Sequence, residues 1–208
     1  MPVDYLVSAL VTLLVVVDPI GLAPTFLAVT HGLPSQTRKS IAWRASLIAG
    51  AILFGTALVG DWLLRQLGIG VPAFRIAGGL LLFMVAAEMV LGVRNNRQTK
   101  QAEEALEEHV RNIAAFPLAI PLMAGPGAIT ATLLLASQAG REPVHLGVLF
   151  GVITAVMAAC MLAYFLASRI ERLLGVTGNA VLSRLLGVIL AALAVQYVID
   201  GVRSTLAG

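Results

Sequence analysis

The sequence predicts an all-α polytopic membrane protein: six transmembrane helices forming a 3+3 inverted repeat, with helices one and four broken at mid-membrane. Three observations lead there. Of the 208 residues, 59% are hydrophobic and 12% charged, with a mean hydropathy of +0.92, against about 25% charge in an ordinary soluble domain. The apolar segments run about 20 to 28 residues, the length a helix needs at 1.5 Å per residue to cross a core of roughly 30 Å; a membrane β-barrel would show short alternating segments instead. Two of these segments, Val15 to Thr30 (VVVDPIGLAPTFLAVT) and Phe116 to Ser137 (FPLAIPLMAGPGAITATLLLAS), carry helix-breaking residues in the middle.

Taken in order, the spans fall at roughly 4 to 30, 40 to 64, 72 to 93, 112 to 138, 144 to 167 and 180 to 203. Span one breaks near Asp18-Pro19-Ile20-Gly21, because proline removes a donor and clashes with the preceding turn while glycine frees the backbone. Span four breaks the same way, at Gly125-Pro126-Gly127 behind Pro117 and Pro121. Broken backbone at that depth has to face protein or water. Gly78-Gly79 in span three, Gly147 and Gly151 in span five and Gly187 in span six permit close helix approach. Between spans three and four, Arg94 to Arg111 contains QTKQAEEALEEHV, which reads as a solvated surface helix, a regulatory or partner-binding loop being the alternative.

The N-terminus has neither a basic n-region nor an A-x-A-like site, so the first span is expected to be retained. Cys160, the single cysteine, lies inside an apolar span and excludes an intrachain disulfide. His31, His109 and His145 fall in three separate loops, and neither a metal nor another cofactor is expected. The pI of about 9.5 does not imply nucleic acid, since the basic residues sit in loops. Ten of them (Arg38, Lys39, Arg44, Arg94, Arg97, Lys100, Arg111, Arg169, Arg172, Arg184) lie on one side of the membrane and four (Arg65, Arg75, Arg141, Arg203) on the other. The positive-inside rule puts the ten in the cytoplasm and both termini outside, in a multi-pass membrane protein.

Sliding the chain by 107 pairs Pro19 with Pro126, Thr25 with Thr132 and Leu27 with Leu134; sliding by 109 pairs Arg75 with Arg184, Gly78 with Gly187 and Gly92-Val93-Arg94 with Gly201-Val202-Arg203. The organisation expected is a first three-helix repeat at 1–93, a polar cytoplasmic loop at 94–111 and a second repeat at 112–208, in one membrane domain. Three spans per half force the second copy upside down, and interrupted helices in corresponding positions of inverted repeats point to a secondary transporter with a midplane site.

In that arrangement the half-helices that start near Gly21 and Gly127 present free amides with partial positive charge, which suit an anion. The ends near Val17 and Ala124 present carbonyls, which suit a cation or an ammonium group. A small zwitterion fits both. The substrate-binding set expected is Asp18, Pro19, Gly21, Thr25, Gly125, Pro126, Gly127 and Thr130, with no catalytic residue. Asp18, about 20 Å along the helix from Asp4, either caps the second half-helix or also meets the ammonium group or a coupling proton or sodium ion. Thr25, Thr130 and Thr132 offer hydroxyls to the site or bond back to their own helices. Glu88 reads as an interfacial residue or a second proton carrier. Arg75 and Arg184, at the starts of spans three and six, read as interface anchors or as gates reaching an acid such as Asp61 or Glu171.

DPIGLAPTF at Asp18 to Phe26, FRIAGGLLLF at Phe74 to Phe83 and PLAIPLMAGPGAIT at Pro117 to Thr130 resemble the three signature stretches of the MarC family of bacterial inner-membrane proteins, over nearly the whole chain. The family includes small neutral amino acid transporters, so the resemblance implies a six-span permease moving glycine, alanine or similar zwitterions with a cation gradient. Three other readings stand beside it: an exporter of other small metabolites or drugs, a channel, and an intramembrane enzyme. The last lacks paired acids, a Ser-Lys pair or a His-rich motif in the spans. The expected partners are a small-molecule substrate and the lipid bilayer; the oligomeric state stays open, a homo-oligomer included.

Overall fold

The structure is a computed structural model describing residues 2–94, 97–98, 100, 113–140 and 142–206, with backbone alone for 2, 61, 116 and 176. Helix α1 (Pro2–Val17) runs into the first break. The Asp18 amide still donates to the Leu14 carbonyl at 2.9 Å, but Asp18 itself takes φ 54, and the chain turns. A left-handed φ is incompatible with continuing a right-handed helix. Helix α2 (Leu22–Val29) then starts at an angle of 40° to α1. Gly32 (φ 76) and Pro34 lead into α3 (Ser35–Gln66), and Gly68 (φ 68) turns the chain into α4 (Val71–Leu91), which has a proline in its first turn. Gly92 ends α4 with φ 74, its amide reaching back to the Glu88 and Met89 carbonyls, the left-handed cap that glycine adopts without strain.

The second break mirrors the first with different means. Helix α5 (Ala114–Met123) is π-wound, closed by the Ala124 amide on the Ala119 carbonyl at 2.9 Å. Pro117 and Pro121, four residues apart inside it, have no N–H to give to an ordinary α-helical ladder. Gly125 is extended, and α6 (Pro126–Ala139) leaves at 56° to the preceding helix. Helix α7 (Pro143–Phe165) follows, then α8 (Ala167–Leu206), interrupted at Gly175 (φ 60) so that its membrane part is Thr177–Leu206. Among the described residues, four helices are long and apolar enough to cross a membrane alone, and the two bent pairs bring the number to six. Each half thus reads as a bent pair followed by two whole helices. The surface helix expected between Arg94 and Arg111 lies largely outside the described residues.

Packing follows the small residues. Helices α4 and α8 run antiparallel along their lengths: a methyl group at Gly79 would sit 2.7 Å from the Ala194 carbonyl oxygen, and one at Gly187 would sit 2.8 Å from Met89 Cβ. Helix α6 crosses α4 at Gly78, against Leu134 and Thr130, and meets α3 where Leu133 fills the space beside Gly60. Helix α1 runs antiparallel to α6, with the Tyr5 hydroxyl donating to the Leu135 carbonyl at 2.9 Å near one end and Val16 lying against Gly127 near the other. Phe26 of α2 stacks on Tyr164 of α7 at 4.4 Å within the buried core. Outward, Leu58, Leu80, Met84 and Leu185 are exposed; such an apolar exterior is stable only in lipid.

Candidate functional site

The two breaks lie side by side. A Cβ on Gly127 would be 3.3 Å from Val16 Cγ1 and 3.2 Å from Val85 Cγ2, so the head of α6 abuts the tail of α1 with α4 alongside. Glycine at 127 leaves the room that the Val16 and Val85 side chains occupy.

At the first break Asp18 is buried, with 3% of its surface exposed. Its Oδ1 accepts from the Gly21 amide at 3.0 Å and its Oδ2 from the Ser183 hydroxyl of α8 at 3.3 Å. A side chain at Gly21 would overlap this carboxylate. The amide expected to await an anion is therefore occupied by the protein's own aspartate, the capping role proper to that residue type. Asp18 and Pro19 border an apolar cavity of about 370 Å³ facing α7 and α8, with Leu162 and Leu186 in its wall.

The second break has no such cap among the described residues. No side chain bonds the start of α6, Pro126 has no N–H, and the first carbonyl-bound amide is Ile129, on Gly125 at 3.0 Å. Gly127 and Ala128 thus keep the free amides of a helix start. They line a polar cavity of about 90 Å³ together with Gly125, Pro126, Pro121 and three residues that follow α4: Arg94, Arg97 and Gln98. Gly125 itself has its Cα direction closed by the Pro121 carbonyl.

Arg94 is the residue the sequence did not single out. It reads there as one loop cation among ten, yet it is 6% exposed. Its Nη2 donates to the Val16 carbonyl at 2.5 Å and its Nη1 to Met89 Sδ at 2.9 Å. The carbonyl end of the first half-helix, where a cation was expected, holds this guanidinium, as a helix C-terminus favours. Among the described residues no ion pair joins Arg94 to Asp18 or to Glu88, whose side-chain partners are Ser183 and Arg97. A signal existed in the Gly92-Val93-Arg94 and Gly201-Val202-Arg203 match, although Arg203 is exposed. Ser183 carried no signal.

The remaining expected residues are dispersed. Thr25 and Thr130 are buried, Thr130 packing its methyl against Gly78, and the Thr132 hydroxyl donates back to Ala128 at 2.8 Å. Glu88 Oε1 pairs with Arg97, while its Oε2 is buried without a hydrogen-bond partner among the described residues. Arg75 reaches the Ser204 hydroxyl at 3.5 Å, and the Arg184 guanidinium lies against Gly92. Glu171 pairs with neither arginine among the described residues, and the Asp61 side chain lies outside them. So the sequence-derived set is divided: Gly125, Pro126 and Gly127 share one cavity, and Asp18 with Pro19 border another.

Comparison with known proteins places this architecture. The chain matches the MarC family integral membrane protein description over residues 3–206. It belongs to the MarC family. Relatives include a UPF0056 membrane protein of Archaeoglobus fulgidus, 38% identical over 98% of this chain and 94% of the relative. Another, from Aquifex aeolicus, is 33% identical over 96% and 93%. UPF0056 membrane protein YhcE of Escherichia coli is 34% identical over 94% and 91%. These names describe the relatives as membrane proteins. No solved structure matches the chain.

Proposed function

We propose that this MarC-family protein is a secondary transporter of small neutral amino acids, glycine- and alanine-like zwitterions, working by alternating access with a proton or sodium gradient. The observation that carries the reading is the abutment of two interrupted helices, Val16 on Gly127, with one buried charge of each sign beside the breaks. Interrupted helices in corresponding positions of two halves are how transporter folds bring polar backbone to the bilayer midplane, and an intramembrane ionisable residue is a functional candidate by default. Substrate would lie near Asp18, Gly21, Gly125 and Gly127. Asp18 is the first candidate for the coupling ion and Glu88, with one oxygen unpartnered among the described residues, the second. The repeats at 1–93 and 112–208 would rock against one another, with the ten-cation side in the cytoplasm of a bacterial cell.

Purified protein in liposomes, with proton and sodium gradients imposed separately, should accumulate labelled alanine or glycine under one gradient and not in its absence. Saturable counterflow with alanine but not with a larger solute separates this from an exporter of drugs or other metabolites. Non-saturating conductance would indicate a channel.

A further inference from the structure

Arg94 poses a problem of charge. A guanidinium has five donors and stays ionised, and burying it without an anion is costly. Here its hydrogen-bond partners are a carbonyl and a thioether, neither of them charged. Among the described residues no carboxylate lies within ion-pair distance: Asp18 is engaged by Gly21 and Ser183, and Glu88 by Arg97. Gln98, 8% exposed, lines the same cavity, and its carboxamide makes no hydrogen bond among the described residues. Opposite stand the uncapped amides of α6. Cation, unspent amide and helix start all converge on about 90 Å³, the room of about three waters.

We propose that this cavity binds a small carboxylate, gripped by Arg94 and Gln98 against the free amides of Gly127 and Ala128. Three kinds of donor, one of them charged, match the acceptor oxygens of a carboxylate. The inference deepens the transport reading and rests on it for the ligand's identity: the carboxylate is the acid end of the transported zwitterion. Because Arg94 also holds the Val16 carbonyl, a ligand that draws on its remaining donors is felt at both breaks.

The test uses the full chain in detergent, with affinity read from ligand-dependent thermal stability at constant ionic strength. Alanine and acetate should bind, and alaninamide, which keeps the ammonium but lacks the carboxylate, should not. Arg94→Gln should weaken alanine binding at least about tenfold, the factor carried by one lost hydrogen bond to a charge. Arg94→Lys should retain part of the affinity, and Gln98→Ala should lose several-fold while folding as the wild type does by circular dichroism. Wild-type affinity in Arg94→Gln and Gln98→Ala, equal binding of alaninamide, or equal binding of chloride or phosphate would overturn the assignment. Alanine uptake by liposomes without carboxylate dependence would sink the site and leave the transporter; acetate binding without any amino acid uptake would do the reverse.

Discussion

Asp18 combines three properties that rarely coincide: burial, charge and a left-handed backbone at φ 54. Aspartate tolerates that region better than most residues, because its short side chain bonds locally, and here it does so at Gly21. Substitutions should separate the contributions. Asp18→Ala strands the Gly21 amide and the Ser183 hydroxyl and keeps the strain, so thermal unfolding in detergent should show a loss of about 1–3 kcal/mol. Asp18→Gly strands the same donors but relieves about 1 kcal/mol of strain, and should melt above Asp18→Ala. Asp18→Asn keeps an acceptor for Gly21 and should be the most stable of the three, yet lose ion-coupled uptake; unchanged proton and sodium dependence in this variant would confine Asp18 to capping. The break at Asp18 and its reading as a cap of the following half-helix were legible from DPIG alone. Its second partner, Ser183, and the role of Arg94 were not, since both depend on which distant helix end arrives at the break.

Among the elements, α4 and α8 form the tightest pair, and the glycines of the spans divide into those that meet a neighbouring helix and those that meet nothing. A methyl group at Gly79 meets backbone, the Ala194 carbonyl at 2.7 Å, which cannot step aside as a side-chain tip can. Gly79→Ala should cost about 1–3 kcal/mol by forcing the helices apart. Gly151→Ala, with nothing within 4 Å of the new carbon, should stay within about 0.5 kcal/mol of wild type in the same melt. The sequence presented Gly79 and Gly151 alike as small residues in apolar spans, and only the contacts tell them apart. Helix ends diverged for a related reason. Hydropathy places span two at roughly 40 to 64, whereas α3 runs from Ser35 to Gln66, because Arg38, Lys39 and Arg44 continue the helix into the interface at no cost to its hydrogen bonds. The π-winding of α5 was not foreseen, although Pro117 and Pro121 supply its cause.

For the molecule as a whole, two contacts express the inverted repeat. Arg75 packs its Cβ toward Gly201, and Arg184 lays its guanidinium on Gly92; both residue pairs are related by the offset of 109 found in the sequence. Such reciprocity is what a two-fold relation between antiparallel helices produces. Six spans would put both ends of the described chain on one side, and in the proposed topology the charge asymmetry makes that side the outside. A phosphatase fused after Gly208 should therefore be active and a cytoplasm-dependent reporter silent; the opposite pattern would invert the proposed topology. Membrane class, span number and the location of both breaks were readable from residue types, because a bilayer imposes length and hydropathy on every crossing segment and proline or glycine interrupts a helix wherever it stands. Which groups face one another across the breaks was settled by packing: burial of Arg94 against Val16, the Ser183 hydroxyl on Asp18, and the arrival of Arg94 and Gln98 beside the open amides at Gly127 all require helices far apart in sequence to meet in one place.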